Sequence, residues 1–336
     1  MKVLVTGGAG YIGSTISSAL IDRGHIPIII DSLVNGRKEF VKGRFFYQGD
    51  IADRELLTRI FRDHPNIDVT IHLAGFLSVP ESEAKPYEYY DNNVSKSNIL
   101  FKTLSELGCK RIIFSSTASV YGNAGGGSEV FESMNVFPES TYGKNKFMIE
   151  QILQDFCKAY SIRGISLRYF NLIGADPKMR SGAYAKNPSH LLGALITALD
   201  TNTSFYITGV DWPTRDGTGI RDYIHVWDLA LAHIKAAEEF DLAFEKSEED
   251  DKGFMVINLG TNTGVTVKEF VTAFEKVTGR SVLKKEVPPR PGDVAGAYAN
   301  ADKAKELIGW QTELSLEQGI VDALKWYDHF SENYPD

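Results

Sequence analysis

Tyr142 and Lys146 lie in the run Ser-Thr-Tyr-Gly-Lys-Asn-Lys at residues 140 to 146 and hold more chemistry than any other pair in the chain. Four residues apart on a helix, their side chains share one face within reach of each other. A phenol titrates near pH ~10, too high for a base at neutral pH, but a fixed ammonium one turn away favours the phenolate. Such a pair suits taking a proton from a sugar or alcohol hydroxyl and giving it back. Tyr-x-x-x-Lys also occurs by chance on many solvated helices, so its meaning depends on what accompanies it. Lys144, two positions from Tyr142, faces away and is excluded.

What accompanies it is a glycine loop at the start of the chain. Residues 2 to 6 read as a short β-branched strand, and Gly7, Gly10 and Gly13 then lead into a helix ending near Gly24. Without side chains there, the backbone can turn tightly and approach a pyrophosphate at the helix N-terminus, where free N–H groups and the helix dipole favour negative charge. A second strand, residues 26 to 31, ends in Asp31, placed to hold adenosine ribose hydroxyls and to repel a 2′-phosphate. Arg37 and Lys38 follow several residues later and would favour a phosphorylated cofactor. Asp31 makes NAD the expected one.

The elements around these residues must hold them together. At 336 residues and 43% apolar content, the chain can bury a large core. A net charge of −8 without a basic cluster argues against nucleic acid or an anionic membrane as partner. No apolar run is long enough to cross a bilayer, and the N-terminus does not read as a signal peptide. Cys109, at a strand start, and Cys157, in a helix, read as buried small hydrophobes in a reducing cytoplasm, not as a disulfide or a metal site. No Cys/His spacing suggests zinc.

Strands are expected near 2–6, 26–31, 44–48, 67–73, 111–116 and 163–168, with helical stretches between them. Their apolar runs suit an α/β fold, a doubly wound parallel (Rossmann) sheet covered on both faces, with ligands at the carboxyl ends of the strands. Past residue 170 the alternation fades into loops and helices near 189–200, 228–240, 266–278 and 314–330. This predicts an NAD-binding domain over 1–170, with a contribution from about 221–260, and a smaller mixed α/β substrate-binding cap over 171–336.

Thr117 follows the fifth strand in Phe-Ser-Ser-Thr-Ala-Ser-Val-Tyr-Gly, residues 114 to 122, where its hydroxyl would meet Tyr142 and Lys146. Together with the glycine loop this resembles the Ser/Thr–Tyr–Lys set of the extended short-chain dehydrogenase/reductase superfamily. Three later segments narrow the likeness: Arg168 to Asn171, Trp212 to Val226, and Arg290 to Asp293. Over essentially its whole length the chain resembles the UDP-galactose (UDP-glucose) 4-epimerase family.

That resemblance implies an isomerase with tightly bound NAD. Tyr142, aided by Thr117, takes the proton of the sugar 4-hydroxyl while C4 loses hydride; the 4-keto sugar turns and regains hydride on its other face. Lys146 would bind the nicotinamide ribose and hold the Tyr142 pKa down. Carried over as cofactor-binding are Tyr11 and Ile12 beside the glycines, Asn35 and Gly36 after Asp31, and Asp50 and Ile51 by the adenine. Leu73, Ala74, Gly75, Asn92, Ser115, Tyr169 and Phe170 complete that set.

For the UDP-sugar, the resemblance points to Asn171, His190, Leu191, Tyr206, Thr208, Arg221, Arg290 and Asp293. Two arginines can fork onto diphosphate oxygens, and a carboxylate such as Asp293 accepts ribose hydroxyls. Tyr223 and His225 are expected to be packing residues and Asp228 a helix N-cap.

Two departures stand out. Leu77 occupies a position where many members carry a lysine. Ala297 stands where some carry a tyrosine, leaving volume beside the sugar for a 2-acetamido group and so for UDP-GalNAc and UDP-GlcNAc. The rivals are a UDP-pentose or UDP-uronate 4-epimerase using the same machinery, a nucleotide-sugar 4,6-dehydratase, and a catalytically silent NAD sensor. The dehydratase would need an acidic pair after Thr117, where Ala118 and Ser119 stand. A sensor would have no use for Tyr142 and Lys146. Family behaviour implies a homodimer through helices at roughly 86–107 and 141–160.

Overall fold

The structure is a computed structural model that describes residues 1–123, 125–184, 191–247, 253–290 and 293–334. Its first half alternates strand and helix: β1 (Lys2–Thr6), α1 (Tyr11–Asp22), β2 (Ile26–Asp31), β3 (Phe45–Gln48), α2 (Arg54–Asp63), β4 (Val69–His72), α3 (Val79–Ala84), α4 (Pro86–Tyr89) and α5 (Lys96–Glu106). There follow β5 (Arg111–Ser115), β6 (Glu129–Val130), α6 (Thr141–Tyr160), β7 (Arg163–Tyr169) and β8 (Asn171–Ile173). The remainder adds α7 (Leu191–Asp200), β9 (Phe205–Thr208), β10 (Ile220–Arg221), β11 (Tyr223–His225), α8 (Val226–Glu238), α9 (Phe240–Lys246) and β12 (Phe254–Leu259). It closes with β13 (Val265–Thr266), α10 (Val267–Thr278), β14 (Lys284–Val287), β15 (Gly296–Ala299), α11 (Asp302–Ile308) and α12 (Leu316–Asn333).

Seven strands form one parallel sheet in the order β12-β7-β5-β4-β1-β2-β3. The strands bury both faces: Val3, Leu4 and Val5 of β1 and Ile28, Ile29 and Ile30 of β2 are fully excluded from solvent. That is why their runs do not alternate with polar residues. The chain leaves β1 toward β2 and β3 on one side and returns to β4 on the other. The sheet therefore has a topological switch point at the carboxyl end of β1, where doubly wound sheets bind ligands. The fold is the one expected.

The six expected strands all form, and β12 adds a seventh beside β7, in register from Phe254↔Gly164 to Leu259↔Tyr169. Its source is the 221–260 stretch that was expected to return to the first layer. Beyond β7 the small sheets are new: β13-β10-β15-β6, β11-β8 and β14-β9. A separate apolar cluster holds that region together, with Leu195, Phe270, Phe274 and Ile320 at its centre. α10 begins with a full capping box, Thr266 accepting from the Glu269 N–H and Glu269 returning to Thr266. Cys109 and Cys157 are both buried.

Two local expectations are corrected. Asp228 is not a helix cap: α8 starts at Val226 with His225 as its cap, the imidazole accepting from the Trp227 N–H at 3.0 Å. Asp228 sits one turn in and accepts instead from the N–H groups of Glu313 and Leu314 at 3.0 and 2.9 Å, tying the 313–314 segment to α8. Tyr223 does more than pack, as shown below.

Candidate active site

Three loops meet at the switch point. The first is the glycine loop. A Cβ on Gly13 would lie 2.3 Å from the Gly7 carbonyl oxygen, so only glycine lets the helix start close onto the loop. A Cβ on Gly10 would meet nothing nearer than that same oxygen at 3.4 Å, so the outer side of the loop is open to a ligand. Gly10 caps α1 without a side-chain bond, and no acidic residue sits in the first turn, so the positive end of the helix is left for an anion.

Asp31 ends β2 with both oxygens held: Oδ2 accepts from the Ala9 N–H at 2.9 Å and Oδ1 from the Leu33 N–H at 2.8 Å. This cradle of glycine backbone, open helix end and fixed carboxylate fits a dinucleotide.

The other residues expected around the cofactor fall into place unevenly. Asp50 and Asn92 are joined by Lys96, whose ammonium donates to Asp50 Oδ2 at 2.6 Å and to Asn92 Oδ1 at 3.3 Å. Asn92 lies in a π-helical turn, Tyr90–Ser95, a distortion often found at functional sites. Leu73 and Ala74 donate to Thr6 Oγ1, each at 3.2 Å, which fixes the end of β4 beside β1.

Gly75 lies close to the buried Asn93, whose amide binds both the N–H and the carbonyl of Phe76 at 2.7 and 3.0 Å. Asn93 was not anticipated, since a lone asparagine before a helix carries no signal. Tyr11 spends its hydroxyl on the Gly174 carbonyl at 2.6 Å, so only its backbone, like that of Ile12, is left for a ligand. Asn35 is exposed and Ile51 buried. Gly36 packs so closely on Asp31 that a Cβ would lie 2.8 Å from Oδ1. Leu77 is 70% exposed and holds no polar contact in the place of the family's lysine.

The catalytic set gathers at the ends of β5 and α6. Ser140 caps α6, accepting from the Gly143 N–H at 3.1 Å, and α3 supplies two further caps: Thr141 N–H donates to Glu83 at 2.6 Å and Tyr142 N–H to Ser82 at 3.1 Å. A Cβ on Gly143 would sit 2.8 Å from the Ser119 carbonyl, so glycine there lets the helix start touch the turn that follows Thr117. The Thr117 hydroxyl lies beside the Tyr142 phenol and works to lower its pKa, while it donates to Ser119 Oγ at 3.2 Å. Lys146 is buried, donates to the Ser115 carbonyl at 2.8 Å, and lies 6.0 Å from the centre of the Tyr142 ring.

The electrostatics differ from the simple expectation. Burial pushes the Tyr142 phenol well above its usual range, the neighbouring Tyr169 adds to this, and the Thr117 hydroxyl opposes it. Lys146 is desolvated too. Its own ammonium is pushed down to about 8 by burial, with Glu150 opposing. Desolvation is the largest influence on the phenol, and it runs against the lowering expected from Lys146.

Beneath the pair lies a buried network that no sequence pattern announced. Glu150, one turn past Lys146, accepts from Ser116 at 2.6 Å, from Ser166 at 2.9 Å, and from Arg168 at 3.0 and 2.6 Å. Arg168 continues to Tyr121 at 3.1 Å, and Tyr121 to Asn258 at 2.7 Å. One carboxylate thus joins α6 to β7 and to the residue before Thr117. Ser115, at the end of β5, meets Tyr169 at 2.9 Å and His233 at 3.1 Å. The i,i+4 spacing of Lys146 and Glu150 could have suggested a surface ion pair, but not a buried one.

On the cap side lies a cleft with a cavity volume of about 210 Å³. Asn171, Leu191, Tyr206, Thr208, Arg221, Arg290 and Asp293 all line it. Carbonyl oxygens of Ile220, Ala295 and Val294 fix the Arg221 guanidinium at 2.7, 3.2 and 3.5 Å. Arg290 N–H donates to Asp293 Oδ2 at 2.8 Å. Phe205, Trp212 and Tyr223 also line the cleft. Tyr223 corrects the packing expectation: its ring is tilted against Phe270 at 4.7 Å, yet it also lines the cleft, and burial pushes its phenol up to about 12.

Ala297 is not among the lining residues. It is buried in a cluster with Ala118, Val120, Tyr121 and Val130, against which the partly buried Phe170 packs, and a Cβ on Gly125 would fall 2.4 Å from its own. His190 lies outside the described residues.

With this geometry established, comparison places it among known proteins. A family profile described as NAD dependent epimerase/dehydratase family matches residues 3–249. The UDP-glucose 4-epimerase of Streptococcus mutans is 37% identical over 340 residues, covering 100% of this chain and 99% of that protein. The crystal structure of UDP-glucose-4-epimerase from Stenotrophomonas maltophila, with bound NAD and formylated UDP-arabinopyranose, superposes with a TM-score of 0.90 at 35% identity, covering 99% of both chains. The UDP-Glc/GlcNAc 4-epimerase of Campylobacter jejuni does so with a TM-score of 0.81 at 31% identity over 98% of this chain and 99% of its own.

Proposed function

Because this chain belongs to the NAD dependent epimerase/dehydratase family, we propose that it is a UDP-hexose 4-epimerase, interconverting UDP-galactose and UDP-glucose on a retained NAD. The observation that carries the reading is Tyr142 beside Thr117 at the ends of α6 and β5, with the buried Lys146 ammonium 6.0 Å from the Tyr142 ring centre. Gly7, Gly10 and Gly13 would hold the pyrophosphate and Asp31 the adenosine ribose. Bound there, the dinucleotide supplies a reversible hydride acceptor.

The chain's residues do the rest. Tyr142 accepts the proton of the sugar 4-hydroxyl as C4 loses hydride, and Thr117 shares the hydroxyl's hydrogen bond. Tyr142 returns that proton after the 4-keto sugar has presented its other face. Burial keeps the phenol protonated in the protein alone, so its acidity must come from charge gathered on binding, with Lys146 the chain's own cation in place. Arg221 and Arg290 would clamp the diphosphate and Asp293 the uridine ribose, with Tyr206 and Thr208 beside the base. Net redox is zero, so no free NAD is consumed.

Incubating the protein with UDP-galactose without added NAD should yield UDP-glucose. Tyr142→Phe should lower that turnover by at least ~10²-fold, the typical contribution of a general base, while the purified variant keeps its NAD. Unchanged turnover in that variant would sink the assignment.

The 2-acetamido sugars are proposed as further substrates on the likeness to the UDP-Glc/GlcNAc 4-epimerase of Campylobacter jejuni, not on Ala297, which packs outside the cleft lining, and UDP-pentoses remain the alternative for the same machinery. We place the domain division near residue 170, with β12 returned to the first domain, and the site of action in the cytoplasm. A homodimer through α5 and α6 is proposed from the family likeness and the apolar ridge described in the Discussion.

A further inference from the structure

We propose that aromatic side chains of the last helix and of the 182–184 segment hold the Arg37 guanidinium away from the adenosine ribose, leaving Asp31 alone to read the 2′ position and so selecting the non-phosphorylated dinucleotide. This rests on the cofactor reading above and deepens it. Arginine is the side chain best shaped to fork onto a phosphate, and an arginine near the acidic residue after the second strand is what accommodates a 2′-phosphate in dinucleotide folds. The chain has such an arginine six residues beyond Asp31.

Its backbone belongs to the cofactor cradle, with the Arg37 N–H donating to the Ala9 carbonyl at 2.9 Å. Its side chain is turned elsewhere. The guanidinium carbon lies 4.8 Å from the centre of the Phe330 ring, 5.9 Å from Tyr184 and 6.0 Å from Tyr334. Nε is buried with no hydrogen-bond partner among the described residues, and Glu39 approaches it only to 3.5 Å. Three ring faces and the Glu39 carboxylate together hold this cation.

The rings are themselves braced. Phe330 and Tyr334 lie 5.3 Å apart, and Phe40 contacts both Tyr184 at 5.4 Å and Trp326 at 5.8 Å. Trp326 donates to the Ala183 carbonyl at 2.7 Å, and the Tyr184 hydroxyl donates to the Asn35 carbonyl inside the loop. Tyr184 also lies in the field of the Asp31 carboxylate, which, after burial, helps push its phenol up to about 12. The box therefore stands at the ribose edge of the cradle, between the last helix and the loop after Asp31.

The test compares NAD and NADP binding to cofactor-stripped protein by calorimetry, with thermal unfolding as the check of folding. In Phe330→Ala/Tyr334→Ala the freed guanidinium should raise NADP affinity relative to NAD by about tenfold, the worth of one charge-assisted contact. Adding Arg37→Gln to that variant should return the ratio to its starting value. Tyr327→Ala, a change at a half-exposed site on the same helix, should leave the ratio unmoved.

Arg37→Gln in the otherwise intact protein decides the matter even if the double variant does not fold. An unchanged ratio supports the box, and a tenfold loss of NADP binding means Arg37 already reaches the phosphate and overturns it. An unaltered ratio in a folded double variant also overturns it. Failure of the unmodified protein to bind NAD would instead remove the cofactor reading itself.

Discussion

Lys146 shows how much at this site depends on burial and not on proximity. Its ammonium is held down to about 8 where the ordinary value is 10.5. Between those values the unfolded chain binds the proton more tightly than the folded one, so the stability contribution of this group rises with pH across that window. Lys146→Met removes the titration. Raising the pH from 6.5 to 9.5 should therefore favour the unmodified protein over the variant by about 2 kcal/mol in denaturant unfolding; a difference that stays flat would refute the depressed value. Arg168, paired with Glu150, shifts in the opposite sense. Burial works against the Arg168 cation, but the Glu150 carboxylate more than offsets it and raises its pKa. Glu150→Gln leaves that cation unpaired and should cost roughly 3–5 kcal/mol, most of it recovered in Glu150→Gln/Arg168→Met. Equal stability of the two variants would mean the pair carries no coupling.

At the level of elements, α6 is the part that turns sequence into chemistry, because its cap, its glycine and its buried face together place Tyr142 against Thr117. Gly143→Ala tests this. The added Cβ must displace the Ser119 carbonyl 2.8 Å away, which separates the two hydroxyls while altering little apolar surface. Turnover should fall by about 10-fold to 10²-fold while the melting temperature moves by only a few degrees, since small misplacements cost far more in rate than in stability; unchanged turnover would mean Tyr142 and Thr117 need not touch. The same element shows where sequence reading stops. The parallel strands were legible because both their faces are buried, giving unbroken Val/Ile runs, and the glycine loop because its residue types have no other use. β12 gave no such cue: it pairs with β7 across some 85 residues of cap, and only the fold brings them together. The two-residue strands β6, β10 and β13 are too short for any period to register. Asp228 and Tyr223 were misread because capping and packing are local explanations, whereas the Asp228 partners Glu313 and Leu314 are distant in the chain and Tyr223 is brought to the cleft by pairing of β11 with β8.

On the scale of the whole molecule, one outer surface remains unused by either the cradle or the cleft. Along α6, Met148, Ile152, Phe156 and Tyr160 form a single i,i+4 ridge, half-exposed at its two ends, where Met148 is 40% and Tyr160 45% exposed. Ile152 and Phe156 between them are only partly covered by the core. Such a ridge packs best into the groove of a like helix, and a two-fold axis would set it against its own copy. The face opposite, from Lys146 to Glu150, is committed to the active site, so dimer packing and the catalytic pair share one helix. Met148→Glu would place two like charges near that axis without touching Tyr142 or its partners. Sedimentation should then show the unmodified protein at twice the chain mass and the variant at the mass of one chain. A variant that keeps the doubled mass would mean the ridge is not the seam, and an unmodified protein sedimenting as a single chain would remove the dimer itself.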